Sequence, residues 1–214
     1  MRSWFGQKGG GALSSSARTR RAQHGHTPLG DALAKRIHVA FLNGFDFMPD
    51  PIHVQFVCLG NICRSPLAEA VFRDKVEQAG LSDAFHIESS GTGDWHVGGS
   101  ADDRMRQTAR RHGLSLADHT ASQFQPDDLE RADHIFVMDK SNLSDVLYYD
   151  EDDNHNGKVR LFREFDPQPE NYQVPDPYYG EHDGFETVHA IVDRTADNLL
   201  EELIEEYDLS APAS

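Results

Sequence analysis

From His53 onward the sequence predicts a three-layer α/β domain, a four-stranded parallel sheet with helices on both faces. Three observations carry this expectation. Short apolar runs of strand length take turns with longer helical segments, as in units that cross from one parallel strand to the next. The first helical segment has both a start and a stop signal. The last carries an apolar face at mostly helical spacing.

The elements follow in order. Strands are expected at 53–58 (HVQFVC), 85–89 (FHIES), 134–138 (HIFVM) and 158–162 (KVRLF). Helices are expected at 66–80, 101–113, 140–149 and 184–207. Pro66 suits the first helical position, where a missing N–H costs nothing, and Gly80 can take the left-handed conformation that ends a helix. In the last helix Val188, Ile191, Val192, Leu199, Leu200, Leu203 and Ile204 form the face that packs on the sheet. The chain shows no internal repeat.

The 214 residues suffice for one domain with an appendage, so the folded domain is placed at 51–209 with a short tail at 210–214. Residues 1–50 form a basic extension rich in Gly, Ser and Arg, expected to be disordered apart from a short helix within 32–45. The extension lacks the apolar run of a secretory signal, only faintly matches an organelle transit peptide, and leaves Met48 as an alternative start.

Charge divides the chain. Residues 1–36 carry seven Lys/Arg against Asp31, a net of +6, so the total of −16 leaves −22 on residues 37–214. Such a body disfavours nucleic-acid binding. No apolar stretch approaches eighteen residues, and mean hydropathy is −0.61, so no membrane span is expected. Two cysteines, Cys58 and Cys63, cannot build a disulfide framework or a four-thiolate zinc site, which makes a reducing, cytoplasmic location the default.

Both cysteines fall in one turn, CLGNICRS over 58–65, between the first strand and the first helix. A short loop from strand end to helix start turns backbone N–H groups inward and adds the helix dipole, which makes an anion site suited to a tetrahedral oxyanion such as phosphate. Leu59, Gly60, Asn61, Ile62 and Cys63 complete the loop. Gly60 permits close backbone approach and Asn61 tolerates unusual dihedrals. Arg64 can fork two N–H bonds onto oxyanion oxygens. Cys58, held in that positive potential, is expected to be a thiolate nucleophile at neutral pH, with Ser65 able to donate to it as it leaves. A proton donor is available in VPDPYYG, where Asp176 sits between Pro175 and Pro177 on a loop after the last strand. Loops at the carboxyl ends of parallel strands converge, so Asp176 can face Cys58 across a bound phosphate.

The stretch VCLGNICRSPLAEAVF resembles the phosphate loop of the low-molecular-weight protein tyrosine phosphatases, and the resemblance runs over about residues 53–207. It implies a flavodoxin-like, phosphotyrosine phosphatase I type fold. It also implies hydrolysis of phosphotyrosine in proteins, and of small aryl phosphates, through a phosphocysteine intermediate. No metal and no cofactor are implied. Asp176 matches the family's general acid, and Trp95, Tyr178 and Tyr179 match its cleft aromatics, with Leu59 and Ile62 adding apolar lining. The two tyrosines also match the family's own phosphorylation sites, which implies a tyrosine kinase as a partner besides the tyrosine-phosphorylated protein. Asn61, Ser89 and His119 match the network that holds the phosphate loop, although Ser122 stands where the family usually has arginine. Asp139 matches a position expected to be structural. Cys63 is placed to form a protective disulfide with an oxidised Cys58. The remaining histidines, including those of HGH at 24–26, lack metal-ligand spacing and are assigned no role. Oligomeric state is not legible.

Rival readings are an arsenate reductase, a phosphoarginine phosphatase, and a phosphate-binding or redox-sensing module without turnover. The first needs cysteines downstream of Cys63, which this chain lacks. The second tends to carry Thr at Ile62. The third does not call for Cys58, Arg64, Ser65 and Asp176 together.

Overall fold

The computed structural model describes residues 50–150, 157–178 and 182–210. The expectations for residues 1–49, for the end of the tail and for Tyr179 lie outside the described residues.

Four parallel strands form one sheet: β1 (Ile52–Cys58), β2 (Phe85–Gly91), β3 (His134–Val137) and β4 (Val159–Leu161), in the order β2-β1-β3-β4. Every residue of β1 is buried, as expected for a central parallel strand covered on both faces. Its side chains alternate between two cores. Val54, Phe56 and Cys58 point to the larger one, closed by α1 (Arg64–Gln78) and α5 (His182–Tyr207). Val57 points to the smaller one, where Ile135, Val137 and Leu161 meet Leu129 of α3 (Pro126–Arg131) and Val146 of α4 (Lys140–Leu147). The remaining described α-helix, α2 (Asp103–Arg111), packs beside α5. This is the expected three-layer α/β domain. Phe56 centres the larger core, with Phe72, Phe136 and Phe162 rings 5.6, 5.9 and 5.3 Å away.

The helix signals work with one shift in register. Helix α1 begins at Arg64, so Pro66 occupies its third position, still within the first turn where N–H groups lack helical partners. Gly80 takes φ +69°, and the bonds from Gly80 N to Glu77 O and from Leu81 N to Val76 O close the helix in a Schellman turn. Asp102 and Asp139 cap α2 and α4 by accepting from Arg104 N and Asn142 N. Strand β2 runs two residues beyond expectation, to Gly91, which bridges Gln123. Three short elements escape the sequence reading: α3 and the 3₁₀ turns Ser82–Ala84 and Phe162–Phe165. Among the described residues no helix is long and apolar enough to cross a membrane.

Candidate active site

The loop 59–63 leaves the carboxyl end of β1 and enters α1 as a tight ring whose carbonyls are tied outward. Thr92 N donates to Cys58 O, Gly93 N to Leu59 O and Asp102 N to Ile62 O, each at 2.8 Å. His119 Nε2 donates to Asn61 O at 2.8 Å. Each peptide holds its C=O and the following N–H on opposite sides, so tying these four carbonyls outward turns the N–H groups of Leu59, Gly60, Ile62 and Cys63 inward. A ring of inward amides is an anion nest.

Asn61 is the residue on which this shape turns. Its φ of +52° is the left-handed conformation that asparagine tolerates. Its buried side chain donates to Ser65 Oγ and Ser89 Oγ, both at 2.9 Å, and accepts from Ser122 N at 2.8 Å. Ser89 is itself bonded to Glu69 Oε2 at 2.6 Å. The departure at Ser122 therefore leaves the loop supported, because the contribution there is a backbone N–H, while the Ser122 hydroxyl donates to Ser89 O at 3.1 Å. Gly91 passes directly beneath the loop. A Cβ there would lie 2.9 Å from both Asn61 N and Leu59 O, so only glycine fits.

At the floor of the ring lies the sulfur of Cys58, a residue only 2% exposed. It accepts from Asn61 N at 3.3 Å and from Ser65 Oγ at 3.0 Å. Ser65 Oγ also lies 3.1 Å from Ser90 O, so its single proton serves one acceptor at a time. Cys63, in the same loop, is a buried free thiol. Burial, with the Asp102 carboxylate second, pushes that thiol up, which keeps it protonated at neutral pH.

Arg64 is buried and engaged on several sides. Nη1 donates to Asp139 Oδ2 at 2.6 Å and to Val174 O at 3.2 Å, and Nη2 donates to Asp176 Oδ2 at 2.9 Å. Burial works against its charge, yet the Cys58 sulfur and the Asp176 and Asp139 carboxylates more than offset this and raise its hold on the proton. Asp139, expected to be structural, thus does two things: it caps α4 and anchors Arg64. Asp176 also accepts from Tyr178 N at 3.0 Å, which fixes its own loop.

These groups open into a cleft of about 240 Å³ lined by Cys58, Ile62, Cys63, Arg64 and Asp176, with Leu59, Gly60, Trp95, His96 and Tyr178 at its walls. Trp95 is 63% exposed, its ring lying over Gly93, where an added Cβ would come within 2.3 Å of it. His96 escaped the sequence reading, although it adjoins Trp95. Its ring centroid stands 6.4 Å from those of both Trp95 and Tyr178. Arg104 escaped it as well. It pairs with Asp102 at 2.8 Å, donates to Tyr178 O at 3.3 Å and stands 5.5 Å from the Tyr178 ring centroid, tying that wall to α2. The histidines assigned no role include two that the fold brings together with a glutamate: His53, His86 and Glu88 each offer a ligand atom within 4.8 Å of the others. Strand pairing creates that group, and spacing within one segment cannot show it.

An anion nest with a sulfur at its floor, a buried guanidinium at its side and a carboxylate at its mouth is the arrangement of a cysteine-centred oxyanion site. Residues 53–209 match the family model for low molecular weight phosphotyrosine protein phosphatase. The chain is 43% identical over 157 residues to a low molecular weight protein-tyrosine-phosphatase of Streptomyces coelicolor, covering 72% of this chain and 95% of the relative. Its fold is similar to the crystal structure of a protein tyrosine phosphatase from Entamoeba histolytica with Hepes in the active site (TM-score 0.69, 35% identity, 74% of this chain and 99% of that one). It is equally similar to YfkJ from Bacillus subtilis (TM-score 0.69, 33% identity, 75% and 99%). The chain belongs to the low molecular weight phosphotyrosine protein phosphatase family.

Proposed function

We propose that the protein hydrolyses phosphotyrosine in proteins, and small aryl phosphates, through a phosphocysteine intermediate. The observation that carries this reading is that Cys58 Sγ, Arg64 and Asp176 share one cleft, with two hydrogen-bond donors already on the sulfur. A phosphoryl group enters the ring of amides, and one of its oxygens replaces Asp176 Oδ2 at Arg64 Nη2, so that the freed carboxylate takes up a proton from solvent. Cys58 Sγ attacks phosphorus as the bond to the aryl oxygen breaks, and Asp176 gives its proton to the departing phenolate. Asp176, now a carboxylate, takes a proton from water. The water oxygen attacks phosphorus, the S–P bond breaks, and Ser65 Oγ donates to the leaving sulfur. The loop amides and Arg64 meet the developing charge, so no step is routed through a metal.

Trp95, His96 and Tyr178 suit an aromatic ring entering the cleft, and Ile62 keeps the lining apolar. Phosphoarginine is therefore the counter-substrate of choice. Cys63, protonated and in the same loop, can resolve a Cys58 sulfenic acid formed by peroxide, releasing water and giving a disulfide that thioredoxin-class reductants reopen. Tyr178, exposed at the rim, is the described candidate for phosphorylation by a tyrosine kinase. A cytoplasmic setting fits a site that depends on reduced sulfur.

The test is acid-quenched turnover of ³²P-labelled phosphotyrosine peptide. Label retained on the wild-type protein but not on Cys58→Ser, with Asp176→Ala slowed strongly, is expected. Full activity in Cys58→Ser, or faster turnover of phosphoarginine than of phosphotyrosine, would overturn the reading.

A further inference from the structure

The cleft lies at the carboxyl end of β1. At the amino end, parallel pairing sets His53 beside His86 and Gln55 beside Glu88. His53 Nε2 lies 3.1 Å from Glu88 Oε2, and His86 Nε2 lies 2.8 Å from Glu88 Oε1. The imidazole centroids are 4.6 Å apart. The geometry points to a second, unassigned site: His53, His86 and Glu88 bind a borderline divalent cation, of which Zn²⁺ is the natural probe, and tie the edge strand β2 to β1.

The tautomer of His53 is the first argument. Its Nδ1 lies 3.2 Å from Arg131 O, and a carbonyl can only accept, so Nδ1 carries the proton. In the neutral ring the lone pair is then on Nε2, directed at the carboxylate. A backbone carbonyl that fixes one nitrogen so that the other can ligate is the usual outer support of a metal-bound histidine. Without a cation, Nε2 and Glu88 Oε2 would be two acceptors at 3.1 Å.

Two kinds of cation relieve that contact, a proton or a metal ion. The second imidazole favours the metal. Two imidazolium rings 4.6 Å apart would repel each other across a single carboxylate, whereas one divalent ion takes both rings as neutral ligands. The surroundings hold charges of both signs. Arg131 Nη2 stands 3.7 Å from Glu88 Oε2 but is bonded to Asp128, and the Asp133 carboxylate accepts from His53 N at 2.9 Å. The net of −22 over residues 37–214 favours cations generally.

Two imidazole nitrogens and a carboxylate form a set suited to Zn²⁺ and its first-row neighbours, with solvent able to supply a fourth ligand on the open side of His86. Tetrahedral bonds of about 2.0–2.2 Å need ligand atoms about 3.3 Å apart. The three ligand atoms lie within 4.8 Å of one another, and the His86 and Glu88 side chains, 52% and 35% exposed, have room to adjust around an ion. Five residue steps along β1 take His53 to Cys58, roughly 17 Å of strand, so the ion would act on the fold and not on the reacting phosphate.

The test is calorimetric titration with ZnCl₂ of the full chain carrying Cys58→Ser, which takes the cleft sulfur out of the count. Cys58→Ser/His86→Ala and Cys58→Ser/Glu88→Gln are titrated beside it, and each is melted with and without Zn²⁺. The parent is expected to take up one Zn²⁺ per chain that raises Tm. Each added substitution should weaken this binding by at least about tenfold and remove most of the rise in Tm. Metal-free melting shows whether each variant is folded. No uptake by the parent overturns the assignment. So does uptake unchanged in both variants, which would place the ion elsewhere, for instance on His24 and His26.

Discussion

Asp139 holds Arg64 by a 2.6 Å bond from Nη1, while the other carboxylate oxygen accepts from Asn142 N at 2.8 Å. One side chain thereby aims the guanidinium and starts helix α4. The two tasks separate by mutation. Asp139→Asn keeps an acceptor for the cap but loses the charged anchor, and a misaimed Arg64 should lower kcat/KM on p-nitrophenyl phosphate by about a hundredfold, the cost typical of a 1 Å misplacement. Asp139→Ala should do the same and also lose the cap, about 1 kcal/mol or roughly 2–4 °C in Tm. Equal activity in wild type and Asp139→Asn would show that Arg64 is aimed by other contacts.

Asn61 combines a left-handed backbone with bonds to Ser65, Ser89 and Ser122, so two substitutions divide its contributions. Asn61→Gly keeps the conformation free of strain but removes the side-chain bonds, and should lower kcat by about tenfold through a loosened nest. Asn61→Ala adds the cost of a Cβ in the left-handed region, about 1 kcal/mol or more, and should be the worse of the two in both kcat and Tm. Wild-type kcat in the glycine variant would mean that the backbone angle alone shapes the loop.

The sequence makes the fold legible where periodicity runs long enough. The strand at β1 and the seven apolar positions of α5 declare themselves, and Gly80 marks the end of α1. Helix α3 does not, because six residues cannot display a helical face, even with Pro126 at its start. The loop from Cys58 to Ser65 is readable because its residues are contiguous and their chemistry is local. His96, Arg104 and the Asp139–Arg64 anchor are not, since each acts on a partner far along the chain that only the fold brings near. The His53–His86–Glu88 group is hidden for the same reason.

His134 carries a pH dependence of known sign. The ring is buried in β3 with Nε2 2.7 Å from the Tyr207 hydroxyl, and burial pushes its pKa down to about 4. The unfolded chain, titrating near 6.5, binds a proton first, so the folded state loses stability as pH falls from about 6.5 to 4 and the loss levels off below that. Over this window the group costs about 3 kcal/mol. Carboxylates titrate in part of the same range, so the measurement is the difference between wild type and His134→Gln in urea unfolding at pH 7 and pH 4. A variant with the same pH slope as wild type would exclude His134 as the source.

Asp166 joins the segment after β4 to α5 and leads on to the loop of Asp176. Its buried carboxylate accepts from Arg163 Nε at 2.8 Å and from Arg194 Nε and Nη2 at 2.8 and 2.9 Å. Arg163 in turn donates to Gln173 O at 2.9 Å, three residues before Asp176. Burial alone would raise the Asp166 pKa, but the bonds from Arg194 and Arg163 outweigh it and hold the carboxyl down at about 2. A depressed carboxyl contributes stability that is complete above its unfolded value of 3.8 and is lost as pH falls toward 2, a contribution of roughly 2 kcal/mol. Asp166→Asn strips the charge from between two guanidinium groups, one of them buried, and should cost about 3–5 kcal/mol in urea unfolding at pH 7. Because Gln173 then loses its fixed donor, amide exchange at Val174 and Asp176 should quicken in the same variant. Unchanged exchange there alongside lost stability would confine the role of Asp166 to the junction with α5.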